Sequence, residues 1–328
     1  LDYGNDGELT AYMLTSAPWS DIPEHEFEYM RIDTFMAGEF VWTGFDYLGE
    51  PTPVTTLDRR GSSRPVVADS ITARSSYFGI VDLAGLPKDS YYDYRSFWNK
   101  KENTVYLSPH WNWEGHEGEK IPVFLYTNGD EAELFLNGVS LGRREKIDPD
   151  QVKTSMAIRE SLDYSVRAGD EERPYFEIVD AYRLRWLDVV YEPGELKAVA
   201  YRDGEMIGEA VVNTAGEPAR LVLTPDRTRM NADGMDLCYI TIEMVDSEGV
   251  LCPWAMDMLE FTVEGSARLM GVANGHQRGH DVFTDATHPL FYGKAVAVIR
   301  SIPRTSGKAV VTVNSDSGLE SSVTVEFL

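Results

Sequence analysis

Cysteine is scarce in this chain. Two residues in 328, Cys238 and Cys252, cannot staple a chain of this size, so stability must rest on a hydrophobic core and not on a disulfide framework. They flank a hairpin turn expected at Asp246-Ser247-Glu248-Gly249, and free thiols buried as small hydrophobes are the expectation. Positive charge is also in short supply. Against 54 Asp and Glu stand 30 Lys and Arg, a formal net charge of −24. No basic stripe offsets it, so a phosphate backbone or an anionic membrane surface would be repelled, and neither nucleic acid nor membrane is expected as a partner. No apolar run approaches the roughly 20 residues of a membrane-crossing helix. The opening Leu1-Asp2-Tyr3-Gly4 has neither a leader's pattern nor a start methionine, and the expectation is a piece of a longer chain.

Familiar catalytic signatures are missing too. The sequence holds no Ser/His/Asp motif, no Gly-rich phosphate loop and no Cys-x-x-Cys pair, and no cofactor is expected. His276 and His280 have the i, i+4 spacing that binds zinc on a helix, but Gly275 and Gly279 break any helix there, and no metal site is expected. What the chain has in quantity is core-forming material, 43% hydrophobic and 11% aromatic residues, enough for two or three domains.

The stretch Met36 to Pro53, MAGEFVWTGFDYLGEPTP, organises the rest. Phe35 to Trp42 is a nearly unbroken apolar run, interrupted only by Gly38 and Glu39, which suits a parallel strand covered on both faces. Thr43 to Pro53 then brings Asp46, Tyr47 and Glu50 into a Gly- and Pro-punctuated loop after Trp42, at the carboxyl end of the strand, where a (β/α) barrel carries its chemistry. Glu39, inside the apolar run, reads as a structural carboxylate that needs partners.

Before this strand, Asp21-Ile22-Pro23-Glu24 supplies an N-cap, an early proline and an acid, and a helix is expected from about Pro23 to Asp33. After the irregular, Arg-bearing loop 55–74, Pro87 to Lys100 reads as a second helix with Tyr91, Tyr94 and Trp98 on one face, packed against a barrel. From about Val105 the pattern changes. IPVFLYTN, EAELFLNG and ELKAVAYRDG, then CYITIEMVD, LEFTVEG, KAVAVIRSI and KAVVTVNSD, are short β-branched or aromatic runs bounded by turn residues, the pattern of antiparallel sandwiches. Asn137-Gly138 and Asp203-Gly204 are the dipeptides of tight hairpins. Asp148 to Tyr182, charged and weakly patterned, reads as an exposed excursion, and a domain boundary is expected near Pro225 to Asn231. His110, with Trp111 and Trp113, reads either as a carbohydrate-binding patch or as core anchoring at the junction with Trp98.

GEFVWTGFDYLGEPTP, followed by SSYFGIVDLAGLPKDSYYDYRSFWN, resembles the last strand, loop and helix of family-2 glycoside hydrolases, most closely their β-galactosidases. The resemblance implies an α/β plus all-β chain: residues 1–101 as the carboxyl-terminal part of a (β/α)8 catalytic barrel, then two immunoglobulin-like β-sandwich domains over 102–226 and 227–328. It makes Trp42 the aromatic platform under the sugar, although from the residues alone Trp42 could equally be a core aromatic. It puts Asp46, Tyr47, Glu50 and Phe78 around the sugar and implies a carbohydrate partner, a β-galactoside. It favours a bacterial periplasmic or secreted location over the cytoplasm, and an oligomer is compatible with it.

Retaining glycosidases need two carboxyl groups about 5 Å apart. In this family both are glutamates on other barrel strands, one in an Asn-Glu pair. No Asn-Glu dipeptide occurs here, so no catalytic residue is assigned and the chain alone is expected to be inactive. Family glucuronidases meet the uronate with an Asn-x-Lys-Gly motif. The matching positions here are Ser76, Tyr77, Phe78 and Gly79, which keep the glycine and lose the charge, so a neutral sugar is expected unless Arg59, Arg60, Arg64 or Arg74 reaches the pocket. The rival reading is a non-catalytic carbohydrate-binding or adhesion protein built on the β modules.

Overall fold

The computed structural model describes residues 12–14, 21–49, 74–151 and 174–328. Two β-sandwiches make up most of it, with a small helical layer against the first. That layer holds α1 (Pro23–Ile32), α2 (Asp89–Trp98) and α3 (Pro174–Tyr182). Helix α1 starts where the sequence places it, with the proline in its first turn and Glu24 and Glu26 near the positive end of the helix dipole. In α2 the inward positions are Asp93, Tyr94 and Ser96, so the three-aromatic face is only partly realised. Tyr94 packs edge-on against Phe27 at 5.4 Å, while Trp98 is half exposed. Phe27 stacks on Phe97 at 4.0 Å and closes the core of the layer with Ile178 and Tyr182. Helix α3 corrects the reading of residues 148–182 as an exposed excursion. Ile178, Val179, Ala181 and Tyr182 are buried, and residues 152–173 lie outside those described.

The first sandwich pairs a three-stranded sheet of β1 (Val105–Ser108), β2 (Lys120–Thr127) and β5 (Leu184–Val190), in the order β1-β2-β5, with a four-stranded one. The latter runs β4 (Val139–Glu145), β3 (Glu131–Leu136), β6 (Glu195–Arg202), β7 (Glu205–Asn213). In β3 the burial alternates, with Ala132, Leu134 and Leu136 inward, as a strand with one face on a core requires. In β2 it does not: Val123 to Thr127 are all buried. Val123 and Leu125 enter the sandwich core, whereas Phe124 packs the other way with Tyr12, Leu14, Ile22 and Val179. The two hairpin turns form as read. Asn137 and Asp203 take φ of 50° and 53°, and the glycines after them 78° and 79°, the paired positive φ of a type I′ turn.

The second sandwich has sheets ordered β12-β14-β10-β8 and β13-β11-β15-β16-β9. The first of these comprises Ala267–Ala273, Lys294–Ser301, Leu237–Val245 and Arg220–Pro225. The second comprises Thr287–Pro289, Met258–Gly265, Gly307–Ser315, Glu320–Phe327 and Arg229–Met230. Arg220–Pro225 pairs with Leu237–Val245, so this sheet begins ahead of the boundary read at 226/227. Cys238 and Cys252 are buried and free; burial pushes their thiols up to about 12 and about 11, which leaves them inert. Trp111 is buried in the first sandwich, its indole N–H donating to Glu192 O at 2.9 Å. His110 stacks on Trp113 at 4.8 Å and meets Trp254 edge-on at 4.9 Å. This aromatic group therefore joins the two sandwiches, not the first sandwich to Trp98.

Phe35 to Trp42 is not the buried strand that its apolar run suggests. No ladder forms there, and Phe35, Phe40 and Trp42 are 82%, 103% and 74% exposed. A strand exists only where a neighbouring backbone completes its hydrogen bonds, and none of the described residues does so. One oxygen of Glu39 is inaccessible with no hydrogen-bond partner among the described residues. Burial, and secondarily Glu26, push its carboxyl up to about 7, the direction that removal from water without a donor imposes.

Arg183, fully buried, ties the helical layer to the first sandwich. Its guanidinium pairs with Glu24 of α1 and donates to Tyr12 O (2.7 Å), Met13 O (3.2 Å) and Tyr126 Oη (3.0 Å). Asp93 of α2, also fully buried, is pushed well up by burial and by Glu24, and held down by Arg183. Removing the cation from such a site strands two carboxylates. Arg183→Met is expected to cost about 3–5 kcal/mol of unfolding free energy, read by urea denaturation, with Arg183→Met/Glu24→Gln recovering part of the loss. An unchanged midpoint would show that the cluster does not hold the layer in place.

Candidate functional site

Segments 42–49 and 74–88 lie side by side and are stitched by their backbones. Thr43 N–H donates to Phe78 O (3.2 Å), Ile80 N–H to Thr43 O (3.1 Å), Val81 N–H to Gly44 O (3.0 Å) and Asp46 N–H to Val81 O (2.9 Å). Tyr47 and Ser76 exchange two further bonds, Ser76 N–H to Tyr47 O at 2.8 Å and Tyr47 N–H to Ser76 Oγ at 3.1 Å. The approach is so close at Gly79 that a Cβ there would sit 2.1 Å from Asp46 N and 2.4 Å from Val81 O. Only glycine fits at this position.

Asp46 is the centre of the arrangement. The family resemblance puts it in the loop around the sugar; in the structure its carboxylate is turned inward, its side chain fully buried. Oδ1 accepts from Gly79 N–H (2.8 Å) and Lys88 Nζ (3.0 Å), and Oδ2 from Lys88 Nζ (3.0 Å) and Gln277 Nε2 (3.2 Å). Burial raises its carboxyl above the usual range; Lys88, Gly79 and Gln277 pull it back. With both oxygens engaged it can brace the loops but cannot attack or protonate a substrate, because a buried carboxylate is retained only where its donors are.

Beside Asp46 stand three aromatics, Trp42 exposed and Tyr47 and Phe78 half-buried. Trp42 Nε1 donates to Tyr47 Oη at 3.0 Å, and their rings stand perpendicular with centroids 6.1 Å apart. Tyr47 and Phe78 follow at 6.4 Å and 44°. Trp42, Tyr47 and Phe78, three of the predicted residues, thus form one continuous surface; Glu50 and Arg59, Arg60 and Arg64 lie outside the described residues.

Sequence reasoning misses the turn at Asn274–Asp281, which reaches over from the second sandwich. Besides the Gln277 side chain on Asp46, Gln277 O accepts from Arg74 N–H (2.9 Å) and Ser75 N–H (3.2 Å). A Cβ on Gly275 would lie 2.2 Å from Asp82 Oδ2. Arg74 Nη2 donates to Asp281 O (3.3 Å), and its guanidinium lies 5.3 Å from the Phe283 ring centre. Asp46 and Gln277 are 231 positions apart, and no local pattern marks such a contact.

Residues 221–324 match the family described as "Glycoside hydrolase family 2 C-terminal domain 5". Residues 118–208 match a domain of unknown function, DUF4982. A β-galactosidase of Bacteroides ovatus, BoGH2A, is 38% identical over 315 residues, 96% of this chain and 31% of that protein. This chain belongs to glycoside hydrolase family 2. A putative β-glucuronidase of Formosa agariphila is 30% identical over 87% of the chain and 24% of its own length. A solved β-glycosidase from Bacteroides vulgatus superimposes with a TM-score of 0.75 at 28% identity, covering 98% of this chain and 34% of that one. The chain therefore spans 31% and 24% of the length of these two curated relatives. Within the candidate site the closest backbone approach is at Gly79. Gly79→Ala is expected to part the two segments, seen as faster hydrogen exchange at Asp46, Ile80 and Val81, while exchange in the second sandwich core stays unchanged. Unaltered protection at Asp46 would mean that the backbones are not packed this closely.

Proposed function

We propose that this chain carries the sugar-platform end of a retaining family-2 glycoside hydrolase that acts on terminal, neutral β-galactosides. In this reading residues 1–101 complete a (β/α)8 barrel, and the two catalytic glutamates belong to the part of the relatives' length that this chain does not span. One observation carries it: an aromatic surface of exposed Trp42 and half-buried Tyr47 and Phe78, bordered in segment 74–88 by two cations that are both already engaged. Lys88 is held by both Asp46 oxygens and by Tyr77 O at 3.1 Å. Arg74 is held by Asp281 O and Phe283. A sugar's C–H face packs on such rings, whereas a uronate carboxylate needs a charge-assisted donor to leave water. The exposure of Phe35, Phe40, Phe45 and Leu48 in the same stretch of chain as Trp42 supports a covering partner of barrel strands, since large apolar side chains left in water mark an interface.

Two measurements on the intact enzyme test this reading. Paired aryl β-galactoside and β-glucuronide substrates should show a clear preference for the galactoside, and a preference for the glucuronide would sink the inference from Phe78. Trp42→Ala should lower kcat/KM by about 30–100-fold, the loss of one large apolar contact in ground and transition state alike, carried mainly by a raised KM, with a cooperative unfolding transition retained. Near-normal kinetics with a collapsed Tm would make Trp42 a packing residue.

A further inference from the structure

The turn between the β12 and β13 strands of the second sandwich is where the fold does something that the functional reading does not require. Gln277 grips both site segments at once. Its side chain donates to Asp46 Oδ2 (3.2 Å), its carbonyl accepts from Arg74 and Ser75 N–H, and Ser75 Oγ donates to the same carbonyl at 3.4 Å. The surrounding turn is set by its own sequence. Asn274 Oδ1 accepts from His276 N–H (3.0 Å), Gly279 N–H closes back onto His276 O (3.0 Å), and the His276 ring stacks on Phe291 at 4.5 Å. The His276 and His280 spacing, which suggests a metal and then excludes one, therefore belongs to a turn that presents the residue between them.

We propose that Gln277 is a positioning residue of the sugar site, so that the second β-sandwich is a working part of that site and not an appendage to it. The inference rests on the functional reading above. The route is short: Gln277 holds the Asp46 carboxylate, Asp46 holds Gly79 N–H next to Phe78, and the residue after Asp46, Tyr47, holds the Trp42 indole. If Gln277 releases Asp46, the platform and the Phe78 wall lose their fixed spacing, and a displacement of about 1 Å is enough to cost catalysis dearly.

Gln277→Ala and Gln277→Glu in the intact enzyme separate positioning from mere packing, because neither touches the backbone bonds of Gln277. Gln277→Ala removes one hydrogen bond to a charged group and should lower kcat/KM about tenfold, with the unfolding midpoint of the second sandwich unchanged. Gln277→Glu sets a second carboxylate against Asp46, where Lys88 is the facing cation and Asp82 the neighbouring acid. Like charges at this distance disfavour double ionisation. The ratio of variant to wild-type kcat/KM should therefore rise as pH falls and one of the pair takes up a proton, restoring a donor to Asp46. For Gln277→Ala the ratio should stay flat with pH. Wild-type activity with an unimpaired Gln277→Ala enzyme, or an equal, pH-independent loss in both variants, overturns the positioning role. Absence of glycosidase turnover in the wild type overturns the functional reading instead, and the Gln277 role with it.

Discussion

The carboxylate of Asp46 is the constraint on which the candidate site depends. A carboxylate taken out of water must find donors, and the three it finds come from two separate parts of the chain: the Gly79 amide and Lys88 ammonium of segment 74–88, and the Gln277 amide of the second sandwich. Meeting that need fixes the distance between segments 42–49 and 74–88 and draws the second sandwich onto both. The aromatics follow. Tyr47 is the residue after the brace and Phe78 the one before its amide donor, so a single buried charge sets the geometry of a surface made of uncharged rings. Lys88 is consumed in the process, and Arg74 is consumed by the turn that brings Gln277, which leaves that wall neutral.

A second buried ion cluster does the same work one layer away. Arg183 joins Glu24 of α1 and the backbone at Tyr12 and Met13 to Tyr126 of the first sandwich. Strand β2 is consequently covered on both faces, the reason why its burial runs unbroken through Val123–Thr127. The chain thus behaves as a series of docked layers. Helices meet the first sandwich through a buried ion cluster, the sandwiches meet through His110, Trp113 and Trp254, and the second sandwich returns to the site through Gln277.

How much of this was legible depends on the range of the interaction involved. Strand pairs with tight turns were readable because the signal is local: Asn137-Gly138 and Asp203-Gly204 tolerate the positive φ that a two-residue hairpin demands. The runs beginning Leu237, Met258, Lys294 and Gly307 announce themselves by β-branched composition. Helix α1 announces itself by its proline and early acids. Segments whose state is set by what covers them were misread. Phe35–Trp42 has a strand's composition but no backbone partner among the described residues, and α3 has weak periodicity because its inward residues meet helices as well as a strand.

By itself, then, the sequence determined the β-rich class, the hairpins and the free thiols, since each rests on residue type and near neighbours, and its resemblance to family-2 glycoside hydrolases gave the family. Tertiary structure alone decided that the Asp46 carboxylate is buried among Gly79, Lys88 and Gln277, that Arg74 and Lys88 are already engaged, and that Gln277 reaches this cluster at all. The physical reason is the same for all three. The fate of a charge depends on which donors and acceptors surround it, and here they arrive from as far as 231 residues away, a distance across which composition and spacing carry no information.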